Sequence, residues 1–324
     1  MTPTRQTFAM IFLAALVLIT MLFSLSLGST DFRPWQIWQG DLKAQLARDV
    51  IMQLRLPRTL AAWAVGGLLG LAGALQQVLL RNPLADPYML GTSGGASVGA
   101  LMAILLGAGS LIVTLAAGSG ALIMTLLVFI LAGHDLATKP LRMLLVGVAL
   151  ASFCGALSSL LLSLAPDGLL RGMVFWLLGD LSGARWEPAM LCLCVCLVVI
   201  WPSAKMLNIL SLGIMPAHAL GIPIQRLQWR LYVVVAVATA FAVTTAGIIG
   251  FIGLIVPHAL RLVFGTDHRV LLPASALGGG LILLLADIIS RVVIAPQQLP
   301  VGVVMALAGV PVFLLLLKQR GDHL

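Results

Sequence analysis

The sequence predicts an all-α integral membrane protein with about ten transmembrane helices. Of its 324 residues, 60% are hydrophobic and only 9% are charged, and the mean hydropathy is +1.10. Soluble domains carry roughly 25% charged residues, so this composition excludes one. Because a membrane-spanning helix needs about 20 mainly apolar residues, the chain can hold ten spans with short connections. We expect one membrane domain over residues 1–324.

The first apolar run, from Phe8 to Leu27, is too long for the apolar region of a typical signal peptide, so we expect it to be the first span. Residues 231–264 would be far too long for one crossing at about 1.5 Å per residue, and we expect Gly247, Gly250 and Gly253 to form a turn within them. The predicted spans are 8–28, 59–80, 91–107, 111–132, 141–164, 188–204, 231–248, 250–264, 271–290 and 300–317.

Ten spans place both termini on one side of the membrane, and the basic residues indicate which side. Loops on the N-terminal side carry 11 of the 19 Lys and Arg, and loops on the other side carry eight. Because cytoplasmic loops are enriched in Lys and Arg, we expect both termini in the cytoplasm. The pI near 10.0 then reflects loops that face anionic membrane lipid. No strongly basic tail is present, so nucleic acid is not an expected partner.

The four cysteines do not indicate a metal or cofactor site. Cys154, Cys192, Cys194 and Cys196 all lie inside apolar runs. A Cys-x-Cys-x-Cys sequence on a helix spreads its side chains around the axis, where cysteine behaves as a small apolar residue. We expect no cofactor.

Residues 79–100, LLRNPLADPYMLGTSGGASVGA, interrupt the apolar pattern. Pro83 and Pro87 disfavour helix at the residues before them, which predicts a turn. Gly91, Gly95 and Gly99 then recur every four residues. Such a face lets another helix approach closely, and Gly66 and Gly70 form a second such face.

The GTSG sequence at 91–94 also matches the Gly-x-Ser-Gly pattern of rhomboid-type intramembrane serine proteases. Ser93 would be the nucleophile and His258 the base. A four-residue match is weak in a membrane protein rich in Gly and Ser. Residues around His258, PHALRLVFG, also lack the small residues that such proteases place there.

Three long stretches together resemble the permeases of ABC importers for iron chelates, heme and cobalamin, the FecCD or BtuC-like family. They are residues 51–100, residues 250–291 (beginning GFIGLIVPHALRLVFG) and residues 299–318 (LPVGVVMALAGVPVFLLLLK). The resemblance implies a type II ABC importer fold and a homodimer with the path between its copies. It also implies two ABC ATPase subunits inside and a periplasmic substrate-binding protein outside. The sequence contains no G-x-x-x-x-G-K-[ST] motif, so ATP hydrolysis is expected on another polypeptide and this chain is not expected to be an enzyme.

The resemblance also implies three groups of functional residues. Arg55, Arg58 and Arg291 would receive acidic residues of the binding protein, although Arg55 and Arg58 could instead anchor a span at the lipid headgroups. Thr138 and Lys139 would lie at the cytoplasmic gate. The residues expected to couple to the ATPase, within 208–230, are Leu212, Gly213, Pro216, Ala217, Leu220 and Gly221. Gly213 and Gly221 are expected to be turn and cap residues around a short helix at Pro216–Leu220.

Within the family, the cargo expected first is a ferric siderophore, because iron chelates are the commonest cargo, followed by heme or cobalamin. The expected location is the bacterial inner membrane. A proton-coupled secondary transporter is the main alternative and would need a buried carboxylate in mid-membrane. Asp287 lies near the outer end of its span, four residues from Arg291, so an ion pair on one helix face is its expected role.

Overall fold

A computed structural model of the protein describes residues 3–28, 42–133 and 140–321, and every regular element in these ranges is helical. A π-helix at Val50–Arg55 and 3-10 helices at Pro87–Leu90 and Trp201–Ser203 complete the set. The α-helices are α1 (Pro3–Ser26), α2 (Leu42–Asp49), α3 (Leu56–Leu79), α4 (Thr92–Leu105), α5 (Ser110–Ala132), α6 (Pro140–Ser163), α7 (Asp167–Leu178), α8 (Trp186–Ile200), α9 (Ala204–Ser211), α10 (Ile214–Ala219), α11 (Ile224–Ala246), α12 (Ile252–Phe264), α13 (His268–Val292) and α14 (Val301–Gly321).

Ten of the described helices correspond to the ten predicted spans. Seven helical stretches are long and apolar enough to cross a membrane: those of α1, α3, α5, α6, α8, α11 and α13. The other three, α4, α12 and α14, are apolar but shorter. The main difference from the prediction is length, since the stretch through α3 runs over Ala44–Leu79 and the one through α8 over Trp186–Ser211.

Helix α3 lies at the centre of the bundle. Of the most apolar 18 residues in the stretch through α3, 89% are buried. The corresponding share is 22% in α1 and in α6. Gly66 and Gly70 allow this packing, because a Cβ atom at either position would collide with the backbone of α13 at Gly279 and Ser275. The predicted close approach of another helix to this glycine face is confirmed.

Helix α4 packs on α5 through two of the three glycines in its predicted face. A Cβ atom on Gly95 or Gly99 would collide with the α5 backbone at Gly120 or Ala116. Gly91 does not belong to this face. It precedes the helix as its N-cap with φ +73°, a left-handed conformation that glycine adopts without a steric penalty.

The turn between α11 and α12 contains two of the three predicted glycines, Gly247 and Gly250. Gly247 (φ +68°) and Phe251 (φ +70°) take the left-handed conformations, whereas Gly250 and Gly253 do not. Gly253 lies inside α12, where its backbone contacts Gly73 of α3. Its role is close packing, which sequence spacing does not distinguish from a turn.

Candidate functional site

The three arginines expected to receive the binding protein lie at one end of the helix bundle. Arg55 ends the π-helix, Arg58 lies in the first turn of α3, and Arg291 lies in the last turn of α13. All three are buried, with 5%, 8% and 4% of their surfaces exposed. The headgroup-anchoring alternative requires exposed guanidinium groups, so burial disfavours it.

Asp287 joins two of these arginines. Its carboxylate accepts a hydrogen bond from Arg58 Nε at 2.7 Å and lies 3.0 Å from Arg291 Nε, in the predicted i,i+4 pair. Asp287 has no exposed surface. A buried carboxylate between two cations is held as a fixed counter-ion, which gives no support to a proton-carrying role.

The other N–H groups of Arg58 point to three further side chains. Nη1 donates to Ser182 Oγ at 3.0 Å and to Gln298 Oε1 at 2.6 Å. Nη2 lies 3.5 Å from Ser290 Oγ. Loops before α8 and before α14 therefore meet at the start of α3.

Arg55 and Arg291 bind the end of α1. Arg291 donates to Leu27 O at 3.0 Å and to Ser24 Oγ at 2.7 Å. Arg55 donates to Leu25 O at 2.9 Å. We call Arg55, Arg58, Asp287 and Arg291 the arginine cluster.

The four residues of the arginine cluster comprise three cations and one carboxylate, a formal sum of +2. A second carboxylate, Asp180, lies one hydrogen bond beyond Arg58, through Ser182. Guanidinium groups bind carboxylates through short, charge-assisted hydrogen bonds. This cluster is therefore suited to receive acidic side chains from a partner.

The segment expected to couple to the ATPase protrudes from the bundle as the short helix α10. Leu212, Met215 and Leu220 are 75%, 81% and 67% exposed, although all three are apolar. Gly213 (φ +126°) and Gly221 (φ +70°) form the turns on either side, as predicted. Pro216 lies on the exposed side and Ala217 is buried toward the bundle. The helix begins at Ile214, two residues earlier than expected.

Asn208 ties this segment to α13, a contact that the sequence analysis missed. The Asn208 amide donates to Asp267 Oδ1 at 2.8 Å, and its Oδ1 accepts from the His268 backbone N–H at 2.8 Å. The hydrogen bond from the Arg269 guanidinium is the main cause that holds the pKa of Asp267 below its usual range. Burial opposes this effect, and the hydrogen bond from Asn208 adds to it with a smaller contribution. A lone polar residue on a short helix gives no periodic signal, and only the fold brings Asn208 to Asp267.

The two candidate sites lie at opposite ends of α13. Asn208 accepts a hydrogen bond from His268, the first residue of α13, whereas Asp287 and Arg291 lie near the other end of this helix. At about 1.5 Å per residue, the 25 residues of α13 span ~37 Å, enough to cross a bilayer. One helix, α13, therefore connects the segment of α9 and α10 to the arginine cluster.

The expected gate residues, Thr138 and Lys139, lie outside the described residues. The helix before them, α5, is fixed to α11 by aromatic contacts: the Phe129 ring centroid lies 4.3 Å from that of Trp229 and 5.5 Å from that of Tyr232. The Tyr232 hydroxyl also donates to the Thr125 carbonyl. The end of α5 is thus attached to α11, the helix that follows α10.

Helix α6 exposes a face of small residues that the sequence analysis did not identify. Gly155 faces open space, and the hydroxyls of Ser152 and Ser159 donate to carbonyls of their own helix at 3.0 Å. Ser152, Ala156, Ser159 and Ser163 are all exposed and share one side of the helix. Such a face leaves open space beside α6 within one copy of the chain.

The protease alternative gains no support from the structure. Ser93 lies on α4, which packs against α5 and α6, whereas His258 lies on α12, which packs against α3, α13 and α14. Gly94, beside Ser93, faces Cys154 of α6. The nucleophile and base therefore belong to different parts of the bundle.

Comparisons with known proteins agree with this geometry. The sequence model of the FecCD transport family matches residues 16–319. Vitamin B12 import system permease proteins BtuC are similar over nearly their whole length. The protein from Salmonella schwarzengrund is 43% identical over 314 residues, which cover 95% of this chain and 94% of the relative. The protein from Salmonella typhi is 42% identical over the same shares.

Two solved structures share the fold. An inward-facing conformation of a metal-chelate type ABC transporter superimposes with a TM-score of 0.86 and 30% identity, covering 96% of this chain and 99% of that one. PsaBC from Streptococcus pneumoniae, in complex with Fab, superimposes with a TM-score of 0.58 and 18% identity. This match covers 84% of this chain and 94% of that one, and it supports the fold alone. The fold is that of a type II ABC importer permease, and the protein is a multi-pass inner-membrane protein. With its family match over most of the chain and its full-length similarity to these permeases, the chain belongs to the FecCD transport family.

Proposed function

We propose that this chain is the permease subunit of an ABC importer that moves vitamin B12 or a closely related corrinoid from the periplasm to the cytoplasm. The observation that carries the proposal is the 43% identity to vitamin B12 permeases over 95% of the chain. The siderophore-first order expected from the sequence is not confirmed. That order depended on how common iron chelates are as cargo, and no residue supported it.

The proposed assembly contains two copies of this chain, two ABC ATPase subunits and a periplasmic substrate-binding protein. The exposed small face of α6, with Ser152, Gly155 and Ser159, would line the path between the two copies. Small side chains leave the width that a large chelate needs. Because the sequence lacks a P-loop motif, ATP would be hydrolysed on the ATPase subunits and this chain would not itself be an enzyme.

The arginine cluster would receive two acidic side chains of the binding protein on the periplasmic side. Its formal +2 charge attracts carboxylates and increases the rate of association. At the other end of α13, α10 would insert its exposed apolar residues, above all Met215, into a groove of the ATPase. With both ends in these positions, α13 would connect docking of the binding protein to ATP hydrolysis.

The cargo is tested by uptake in cells that lack their own vitamin B12 permease. Cells that express this chain with its ATPase should accumulate radiolabelled cyanocobalamin, and excess unlabelled cyanocobalamin should compete. Excess ferric siderophore or heme should not compete. Uptake of a ferric siderophore without uptake of cyanocobalamin would overturn the proposed cargo and leave the importer class standing.

A further inference from the structure

We propose that Gln298 is a docking-specificity residue, which holds Arg58 in the undocked permease and is displaced by a carboxylate of the binding protein. The inference rests on the proposed docking role of the arginine cluster. Gln298 lies in the loop between α13 and α14. Its side-chain oxygen accepts from Arg58 Nη1 at 2.6 Å.

The contacts of Arg58 divide into an inner and an outer pair. The inner pair, Asp287 and Ser290, is fully buried on α13. The outer pair, Ser182 and Gln298, is exposed and belongs to loops. A partner that approaches from outside the bundle therefore meets the outer pair first.

The loop places Gln298 over the cluster. The backbone N–H of Leu299 donates to the Ser290 carbonyl at 3.0 Å, which fixes the neighbouring residue to the end of α13. Arg58 is only 8% exposed, and its Nη1 donates to both Ser182 and Gln298. A carboxylate from outside can therefore accept a hydrogen bond from Nη1 only by displacing one of these two acceptors. Docking is then an exchange of one oxygen acceptor for another.

The exchange favours the partner because of charge. The Arg58 guanidinium already carries a charge, so its bond to the neutral Gln298 amide is assisted by one charge only. A carboxylate adds the attraction of the opposite charge and can accept two parallel hydrogen bonds from a guanidinium. The positive charge of the arginine cluster also attracts a carboxylate at long range, whereas it does not attract a neutral amide in this way. Gln298 would therefore satisfy Arg58 while no partner is bound and would give way to an acidic partner, but not to a neutral one.

The test measures binding of the purified periplasmic vitamin B12-binding protein of the same bacterium to the permease–ATPase complex in lipid nanodiscs. Gln298→Ala removes the competitor and should tighten binding by about threefold or more. Gln298→Glu supplies an internal carboxylate to Arg58 and should weaken binding about tenfold at low salt. High salt should reduce the second effect, because it screens the charges.

Gln297→Glu is the matched control. Gln297 is the exposed neighbour in the same loop, so the substitution adds the same charge, and the structure describes no hydrogen bond from it to Arg58. Gln298→Glu should weaken binding several-fold more than Gln297→Glu. Equal effects of these two variants, or weaker binding by Gln298→Ala, would overturn the role of Gln298.

Arg58→Gln separates this inference from the proposed docking site. The variant leaves Asp287 paired with Arg291, and normal ATPase assembly would show that it folds. If Arg58→Gln abolishes binding and the two Glu variants have equal effects, the role of Gln298 is overturned and the docking site is supported. If Arg58→Gln leaves binding unchanged, both the role of Gln298 and the docking site are overturned.

Discussion

Asp287 is the residue on which the arrangement of the arginine cluster depends. It is the only carboxylate in contact with Arg58 and Arg291 among the described residues, and both arginines are buried. Removing one partner of a buried ion pair leaves an uncompensated charge. Such a change typically costs about 3–5 kcal/mol of stability.

Asp287→Ala should therefore lower the stability of the permease strongly, by about 3 kcal/mol or more. Thermal unfolding in detergent measures the change. Glu187→Ala is the control, since Glu187 is an exposed acid at the start of α8. Similar unfolding temperatures for both variants would contradict the account of Asp287 as a fixed counter-ion.

Asp86 provides a pH-dependent test in the loop between α3 and α4. Its side chain accepts from the Tyr88 backbone N–H at 2.9 Å, and burial raises the pKa of Asp86 to about 6 despite this bond. The folded protein therefore holds a proton that the unfolded chain releases near pH 4. The associated stability is present at low pH and is lost as pH rises through about 6.

Asp86→Asn should consequently stabilise the protein above pH 6, by about 1–3 kcal/mol, because the neutral amide keeps the hydrogen-bond acceptor without a buried charge. The difference should shrink as the pH falls towards about 4. Unfolding of both proteins at about pH 5 and about pH 8 measures it. An equal difference at the two pH values would show that the Asp86 charge is not responsible.

At the level of elements, α10 is the part of the described chain that most clearly needs a partner. It carries exposed apolar residues in a segment too short to span a membrane. Met215→Glu should prevent stable assembly with the ATPase, because it places a charge in an apolar contact. Met215→Leu keeps the apolar surface and should assemble normally. Co-purification of the two subunits is the measurement, and normal assembly of Met215→Glu would exclude α10 as the contact.

The link between α9 and α13 predicts a different defect. Asn208→Ala removes the hydrogen bonds to Asp267 and His268 without changing the exposed surface of α10. We expect normal ATPase assembly and severalfold less transport per ATP hydrolysed, because movement of α10 would reach α13 less effectively. Ser211→Ala, one turn along the same helix, is the control. Unchanged coupling in Asn208→Ala would exclude this route.

The sequence predicted those elements whose signal is local. Apolar length marked the ten spans, and four-residue spacing marked the glycines at 66, 70, 95 and 99 that bring helices together. The turn residues Gly213 and Gly221 were also predicted, because glycine suits left-handed conformations.

The contacts that depend on distant parts of the chain could not be predicted. Asn208 and Asp267 are 59 positions apart, and Arg58 and Gln298 are 240 apart. The family resemblance supplied the identities of the arginines but not their burial. No periodic pattern indicates which loop covers an arginine, because loop residues follow neither a helix face nor a strand face.

At the scale of the whole molecule, one helix, α13, would connect docking of the binding protein outside to ATP hydrolysis inside, in the proposed corrinoid importer. The single membrane domain over residues 1–324 and the placement of both termini in the cytoplasm remain predictions. Either orientation puts the arginine cluster and α10 at opposite ends of α13.

The measurement that tests the central claim most directly is transport by the purified complex in proteoliposomes with ATP trapped on the side of α10 and the binding protein on the side of the arginine cluster. We expect labelled vitamin B12 to enter the ATP-containing compartment only when ATP and the binding protein are both present. Ferric siderophore should not enter under the same conditions. Vitamin B12 movement that persists without ATP, or its absence when all components are assembled, would contradict the account.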